Sequence, residues 1–200
     1  MKKIIVYGGA FNPPLNSHFS LAEQVLIEYQ DIEKIIFVPV SNKYKKNNLL
    51  GNNHRYNMLK LICDKNDKFE VSRIEMDNER QLYTIETLKL FKEIYPQNEI
   101  VFMTGTDNLK ELDTWKYGEE LLENFKIIIL QRGIQKSDEI IESSEFLKRY
   151  KDSFIIPKNN IITNLSSTYI RERIKQGRSI KYLVPDEVIS YIYENDLYKE

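Results

Sequence analysis

The stretch Ile4–Gln24 reads IIVYGGAFNPPLNSHFSLAEQ. Ile4, Ile5 and Val6 form a short β-branched apolar run, the pattern of a buried strand. Gly8 and Gly9 follow at once, then Pro13 and Pro14, so the chain turns in a bare, stiffened loop. From Ser17 onward Leu21, Ala22, Val25, Leu26 and Tyr29 recur at helical spacing. The order is strand, glycine-bearing loop, helix. The two glycines let backbone approach a ligand, and the helix start offers unpaired N–H groups and a positive dipole end. His18 stands at that start and can donate to a phosphate oxygen. The stretch is suited to an anion, above all a nucleotide phosphate. It carries neither G-x-G-x-x-G nor G-x-x-x-x-G-K-[ST].

Outward from this stretch, strand-like and helix-like segments alternate, which predicts an α/β fold with a mainly parallel sheet. Strands are expected at Lys34–Val38, Phe69–Met76, Glu99–Met103 and Lys126–Leu130, with short extended pieces at Phe154–Pro157 and Ile161–Ile162. Helices are expected at His54–Asp64, Tyr83–Tyr95, Glu139–Tyr150, Ser166–Gln176 and Pro185–Asn195. Asp107–Asn124 reads as a helical region broken near Gly118, and Ser41–Asn53 as a polar mobile loop. The expected architecture is one doubly wound Rossmann-like domain over residues 1–200, with a small C-terminal helical part. Such a sheet binds ligands beyond the carboxyl ends of its strands, where strand order reverses. The loops to search are therefore Gly8–His18, Pro39–Asn53, Gly105–Leu109 and Arg132–Gly133.

Composition narrows the function classes. The 200 residues are 42% hydrophobic, enough for a full core, and 29 basic against 30 acidic residues leave a net charge of −1. No basic field points to nucleic acid. Cys63 is the only cysteine, so a disulfide framework or thiolate metal cluster is not expected. No segment approaches the ~20 apolar residues of a membrane helix, and no signal peptide is read at the start. The expectation is a cytoplasmic protein without membrane or nucleic-acid partners; assembly of identical chains is left open. His18 and His54 lie on different segments, with no H-E-x-x-H, and no G-x-S-x-G elbow occurs. Neither a protein metal site nor a protein nucleophile is expected.

Four further clusters carry groups suited to a charged ligand. Ser166-Ser-Thr-Tyr-Ile-Arg171 opens a helix with hydroxyls and a guanidinium one turn later, a second anion site; plain N-capping is the alternative. Gly105-Thr-Asp-Asn-Leu109 follows a buried strand, though Asp and Asn are ordinary turn residues. Trp115, the only tryptophan, offers a stacking face or a core side chain. Tyr83 and Thr84 open the helix within Arg80–Leu88, with Thr84 as a plausible plain cap. Lys46 lies in the polar loop, and Arg55 follows it.

The first stretch resembles the G-G-x-F-x-P-x-H-x-G-H signature of the nucleotidyltransferase α/β-phosphodiesterase superfamily, nearest its bacterial nicotinate mononucleotide adenylyltransferase branch. Gly8, Gly9, Phe11, Pro13 and His18 match. Leu15 stands at the first histidine and Ser17 at the glycine. Ser166–Arg171 is similar to I-S-S-T-x-I-R, with Leu165 for the isoleucine. Gly105–Leu109 is similar to G-A-D-N-L, and Tyr83, Thr84, Thr87 and Leu88 to S-Y-T-x-x-T-L, with Leu82 for the serine. Pro39, Lys46, Arg55, Met58 and Leu59 fit a further pattern, as does the ending from Tyr182 to Tyr198, so the likeness covers nearly the whole chain.

The resemblance implies adenylyl transfer from ATP to nicotinate mononucleotide, with Mg²⁺ arriving on ATP. It implies ATP contacts from Gly8, Gly9, Phe11, His18, Asp107, Ser167, Thr168 and Arg171. Ala10, Tyr83, Thr84, Asn108, Trp115 and Arg132 would surround the mononucleotide. His18, Arg171 and Lys46 would stabilise charge on the phosphates. Leu15, lacking a donor, implies a weaker phosphate grip. It leaves open a catalytically weakened, regulatory nucleotide-binding relative, or a nucleotidyltransferase for another phosphate acceptor.

Overall fold

The computed structural model describes residues 1–44, 48–131, 133, 135–158 and 162–199. Six strands form one sheet: β1 (Lys3–Gly9), β2 (Ile32–Pro39), β3 (Phe69–Val71), β4 (Glu99–Gly105), β5 (Lys126–Leu130) and β6 (Phe154–Ile155). Their order is β3-β2-β1-β4-β5-β6, and every neighbouring pair is parallel. The helices are α1 (Asn16–Glu28), α2 (Asn52–Cys63), α3 (Thr84–Ile94), α4 (Thr106–Leu109), α5 (Gly118–Asn124), α6 (Ser137–Glu142), α7 (Glu145–Arg149), α8 (Ser167–Lys175) and α9 (Asp186–Glu194).

The continuous apolar runs are explained by burial on both faces. Ile4 and Val6 of β1, Ile36 and Val38 of β2, and Ile127 and Ile129 of β5 pack under α3, α5, α6 and α7. The alternating residues Ile5, Tyr7, Ile35, Phe37 and Ile128 pack under α1 and α2 on the opposite face. Period-two alternation therefore sends each strand into two cores. This is the doubly wound arrangement read from the sequence. A third cluster joins Leu15 and Met58 to Ile170, Ile174, Val188 and Ile192, which docks α8 and α9 beside the end of β1. Strand order reverses between β1 and β4, so the ligand-binding crevice of this architecture lies over Gly8–Gly9 and Gly105.

Two boundaries differ from expectation. Strand β3 stops at Val71, because Ser72 to Leu82 turns away to reach α3. Glu139–Tyr150 is two helices, with Ser143 and Ser144 between them. Ser144 caps the second, its Oγ accepting from Leu147 N at 3.3 Å. The helical region after β4 divides into α4, a 3₁₀ turn at Leu112–Thr114 and α5. Only glycine fits at position 118, where α5 begins, because a Cβ there would collide with Leu112 O.

Candidate active site

The loop after β1 is held from three directions. Arg55 of α2, 0% exposed, donates from Nη1 to Ala10 O at 3.1 Å and from Nε to Leu50 O at 2.7 Å. Its Nη2 reaches Asn42 Oδ1 and Asn52 Oδ1. Burial pulls the guanidinium down to about 10, and the four oxygens satisfy its donors in place of a carboxylate. From α8, Arg171 Nη1 donates to Asn12 O at 2.8 Å and Ser167 Oγ to Pro13 O at 2.8 Å. From the C-terminal segment, Tyr198 Oη donates to Asn12 Oδ1 at 2.8 Å. Asn12, 3% exposed, also donates to Asn48 O at 2.8 Å. The Asn12–Pro13 peptide is cis.

Phe11 sits in the left-handed region at φ 46, a conformation that costs a non-glycine residue on the order of 1–3 kcal/mol. Ring packing offsets that cost. Its centroid lies 5.4 Å from Tyr7, 5.7 Å from Phe37 and 5.1 Å from His18, all edge-on. The glycines serve this packing. A Cβ at Gly9 would lie 3.0 Å from the Phe11 ring, and one at Gly8 would lie 2.9 Å from Phe102. The ring of Phe11 thus fills the side-chain direction at Gly9, and that of Phe102 the one at Gly8.

His18 lies in the first turn of α1, and its Nδ1 accepts from Leu15 N at 2.9 Å. A neutral ring so engaged carries its proton on Nε2, which makes Nε2 the donor. His18 and Arg171 therefore flank the same Phe11–Asn12 turn, one through ring contact and one through a hydrogen bond. Ser166, not Ser167 or Thr168, caps α8, its Oγ accepting from Tyr169 N at 3.2 Å. Ser167 is committed to Pro13 O. Thr168 Oγ1 accepts from Arg171 Nη2 at 3.1 Å, and Arg171 keeps further N–H donors.

Beside the other face of β1, the half-buried Trp115 ring lies 6.4 Å from Phe102, the ring that covers Gly8. Tyr83, not Thr84, is the N-cap residue of α3, and Glu86 reaches back to accept from Tyr83 N at 2.8 Å. Tyr83 packs edge-on against Tyr117 at 5.3 Å. Asp107 and Asn108 lie on α4 at the end of β4, with Asn108 Nδ2 donating to Thr104 Oγ1 at 2.6 Å. Lys46 and Arg132 lie outside the described residues.

Leu15 is 0% exposed and belongs to the third core cluster. Its side chain is a packing element between the loop and α8. The bracing roles of Asn12, Arg55 and Tyr198 were missed from sequence. The only local signal was an asparagine set between Phe11 and the two prolines.

A Cytidylyltransferase-like family model matches residues 6–173. The chain belongs to that family. A curated relative from Clostridium botulinum (strain Okra / Type B1), named a probable nicotinate-nucleotide adenylyltransferase, is 35% identical over 198 residues, covering 97% of this chain and 98% of the relative. One of the same name from Carboxydothermus hydrogenoformans is 35% identical over 199 residues, covering 98% of each. Among solved structures, the Plasmodium falciparum nicotinic acid mononucleotide adenylyltransferase complexed with NaAD superposes with a TM-score of 0.80 at 24% identity, covering 99% of this chain and 98% of that one. The last likeness carries the fold.

Proposed function

We propose that this chain transfers an adenylyl group from ATP to nicotinate mononucleotide, giving the dinucleotide and pyrophosphate. A 5′-phosphate oxygen of the mononucleotide attacks the α-phosphorus in line. The bond from the α-phosphorus to its oxygen bridge with the β-phosphate breaks, and that oxygen leaves with the electron pair on pyrophosphate. No protein nucleophile enters; positioning and charge stabilisation supply the catalysis.

The observation that carries this reading is the junction of the β1 loop with α8 at the strand-order reversal. There a histidine donor and an arginine flank one rigid turn. His18 Nε2 donates to phosphoryl oxygens, and Arg171 turns its remaining donors to the β- and γ-phosphates, with Lys46 and Thr168 assisting. Asp107 contacts the ribose of the adenylate. Trp115 with Tyr83, Thr84 and Asn108 forms the mononucleotide side. Mg²⁺ enters as part of the ATP substrate, held by phosphate oxygens and water. The names of the full-length relatives support the acceptor.

The test is pyrophosphate release from ATP with a panel of mononucleotides and other phosphate acceptors. Nicotinate mononucleotide is expected to be the best acceptor. ATP binding without turnover, or a different best acceptor, overturns the reading. His18→Ala is expected to lower kcat by about 10²–10³ with the thermal transition retained; an unchanged kcat removes its assigned role.

A further inference from the structure

The acid and amide forms of a pyridine mononucleotide have nearly the same shape. They differ by one negative charge, so shape alone discriminates weakly and a positioned cation discriminates well. One place joins flat aromatic faces, a cation that makes no ion pair among the described residues and the end of the β1–β4 crevice. It is the turn from Trp115 to Gly118, facing the start of α3.

This turn is stiff. Trp115 N donates to Leu112 O at 3.2 Å and Gly118 N to Trp115 O at 2.9 Å. Gly118 has no room for a side chain, and Tyr117 is in the left-handed region at φ 68. Lys116 is thereby projected against two rings, with Nζ 4.9 Å from the Tyr83 centroid and 5.1 Å from that of Tyr117. Its Nζ also stands 3.4 Å from Tyr83 Oη. Ring faces fix where an ammonium sits without neutralising it. The neighbouring cations are paired with carboxylates: Arg80 with Glu86, Lys89 with Glu120 and Arg149 with Glu119. Lys116 makes no ion pair among the described residues.

We infer that Lys116 is a specificity-determining residue, its ammonium pairing with the ring carboxylate of the mononucleotide and selecting the acid form over the amide. The pyridine ring lies against Trp115, and the carboxylate meets the cation held between Tyr83 and Tyr117. The assignment rests on the adenylyl-transfer reading above and adds to it the atom that reads the charge.

The experiment compares kcat/KM for nicotinate and nicotinamide mononucleotides in the wild type, Lys116→Met and Lys116→Arg. Quenching of Trp115 fluorescence gives Kd for each in parallel. In Lys116→Met the acid-to-amide ratio is expected to shrink about tenfold, which is about 1.4 kcal/mol, through KM for the acid form at little-changed kcat. Lys116→Arg restores most of the ratio. An unchanged ratio, or an equal loss on both substrates, overturns the inference and leaves the lysine a support for the two rings. A wild type that turns over neither mononucleotide overturns the functional reading itself, and this assignment with it.

Discussion

Leu15 shows how one side chain can belong to the core although its neighbours belong to the site. The loop leads to His18 at the start of α1, while Leu15 turns into the cluster of Met58, Ile170 and Val188. Placing an imidazole there removes apolar contacts and buries polar nitrogens, a cost on the order of 2–5 kcal/mol. Leu15→His is expected to lower Tm without raising kcat, checked by thermal unfolding and pyrophosphate release. A many-fold faster enzyme with unchanged Tm would show instead that the position faces the phosphates. Glu75 poses a second question at this scale. It is 7% exposed, and burial pushes its carboxyl above the usual range, with Gln81 and Thr87 donating to it at 3.0 and 2.8 Å. The folded state therefore holds this proton more tightly than the unfolded chain does. Its contribution is full below the ordinary carboxyl value of 4.5 and is lost as pH rises through the folded value. Glu75→Gln cannot ionise, so its Tm relative to wild type is expected to improve from pH 4 to pH 7. A pH-independent difference would show that Glu75 titrates normally.

At the scale of elements, the start of α3 depends on one exposed acid. Glu86 accepts from the Tyr83 N–H and takes a two-pronged contact from Arg80 at 2.6 and 2.9 Å. Arg80 holds its carboxyl down to about 2. A lowered acid stabilises above its unfolded value, and that support is lost as pH falls from near 4.5 toward 2. Because the pair is exposed, Glu86→Gln is expected to cost no more than about 1 kcal/mol at pH 7 and nothing near pH 2, read by thermal denaturation. An equal loss at both pH values would place its role in packing. What the sequence made legible at this scale follows from locality. β-branched runs such as Ile127–Ile129 announce strands buried on two faces, and Ser-Ser-Thr at an element boundary announces the start of α8. The break between α6 and α7 is also written locally. Ile140 and Ile141 begin an apolar pair, but positions 144 and 145, where one helix would repeat it, carry Ser and Glu. The bracing by Arg55 has no such local mark, since its oxygens come from Ala10, Asn42, Leu50 and Asn52 and are assembled only by folding.

Across the whole molecule, the reversal of strand order puts the end of β1 at the centre, and the third core cluster brings the last helices back to it. Asn12 and Tyr198 are 186 residues apart, yet joined by a 2.8 Å hydrogen bond with both side chains largely out of water. The same turn takes Arg171 on its backbone oxygen, so the C-terminal part sets the position of the loop that would grip ATP. Tyr198→Phe keeps the ring and deletes one donor to a buried oxygen, a loss of about 1 kcal/mol. If the bond only anchors the terminus, Tm falls and kinetics are untouched. If it positions the loop, KM for ATP rises by about three- to tenfold while KM for the mononucleotide stays close to the wild-type value, because Trp115 and Tyr83 are braced from the other face of the sheet. Tyr193→Phe, on an exposed ring of α9, serves as the control and is expected to change neither. A Tyr198→Phe enzyme with lowered Tm and an unaltered KM for ATP would separate this hydrogen bond from the chemistry and leave the placing of the β1 loop to Arg171, Ser167 and the packing of Leu15.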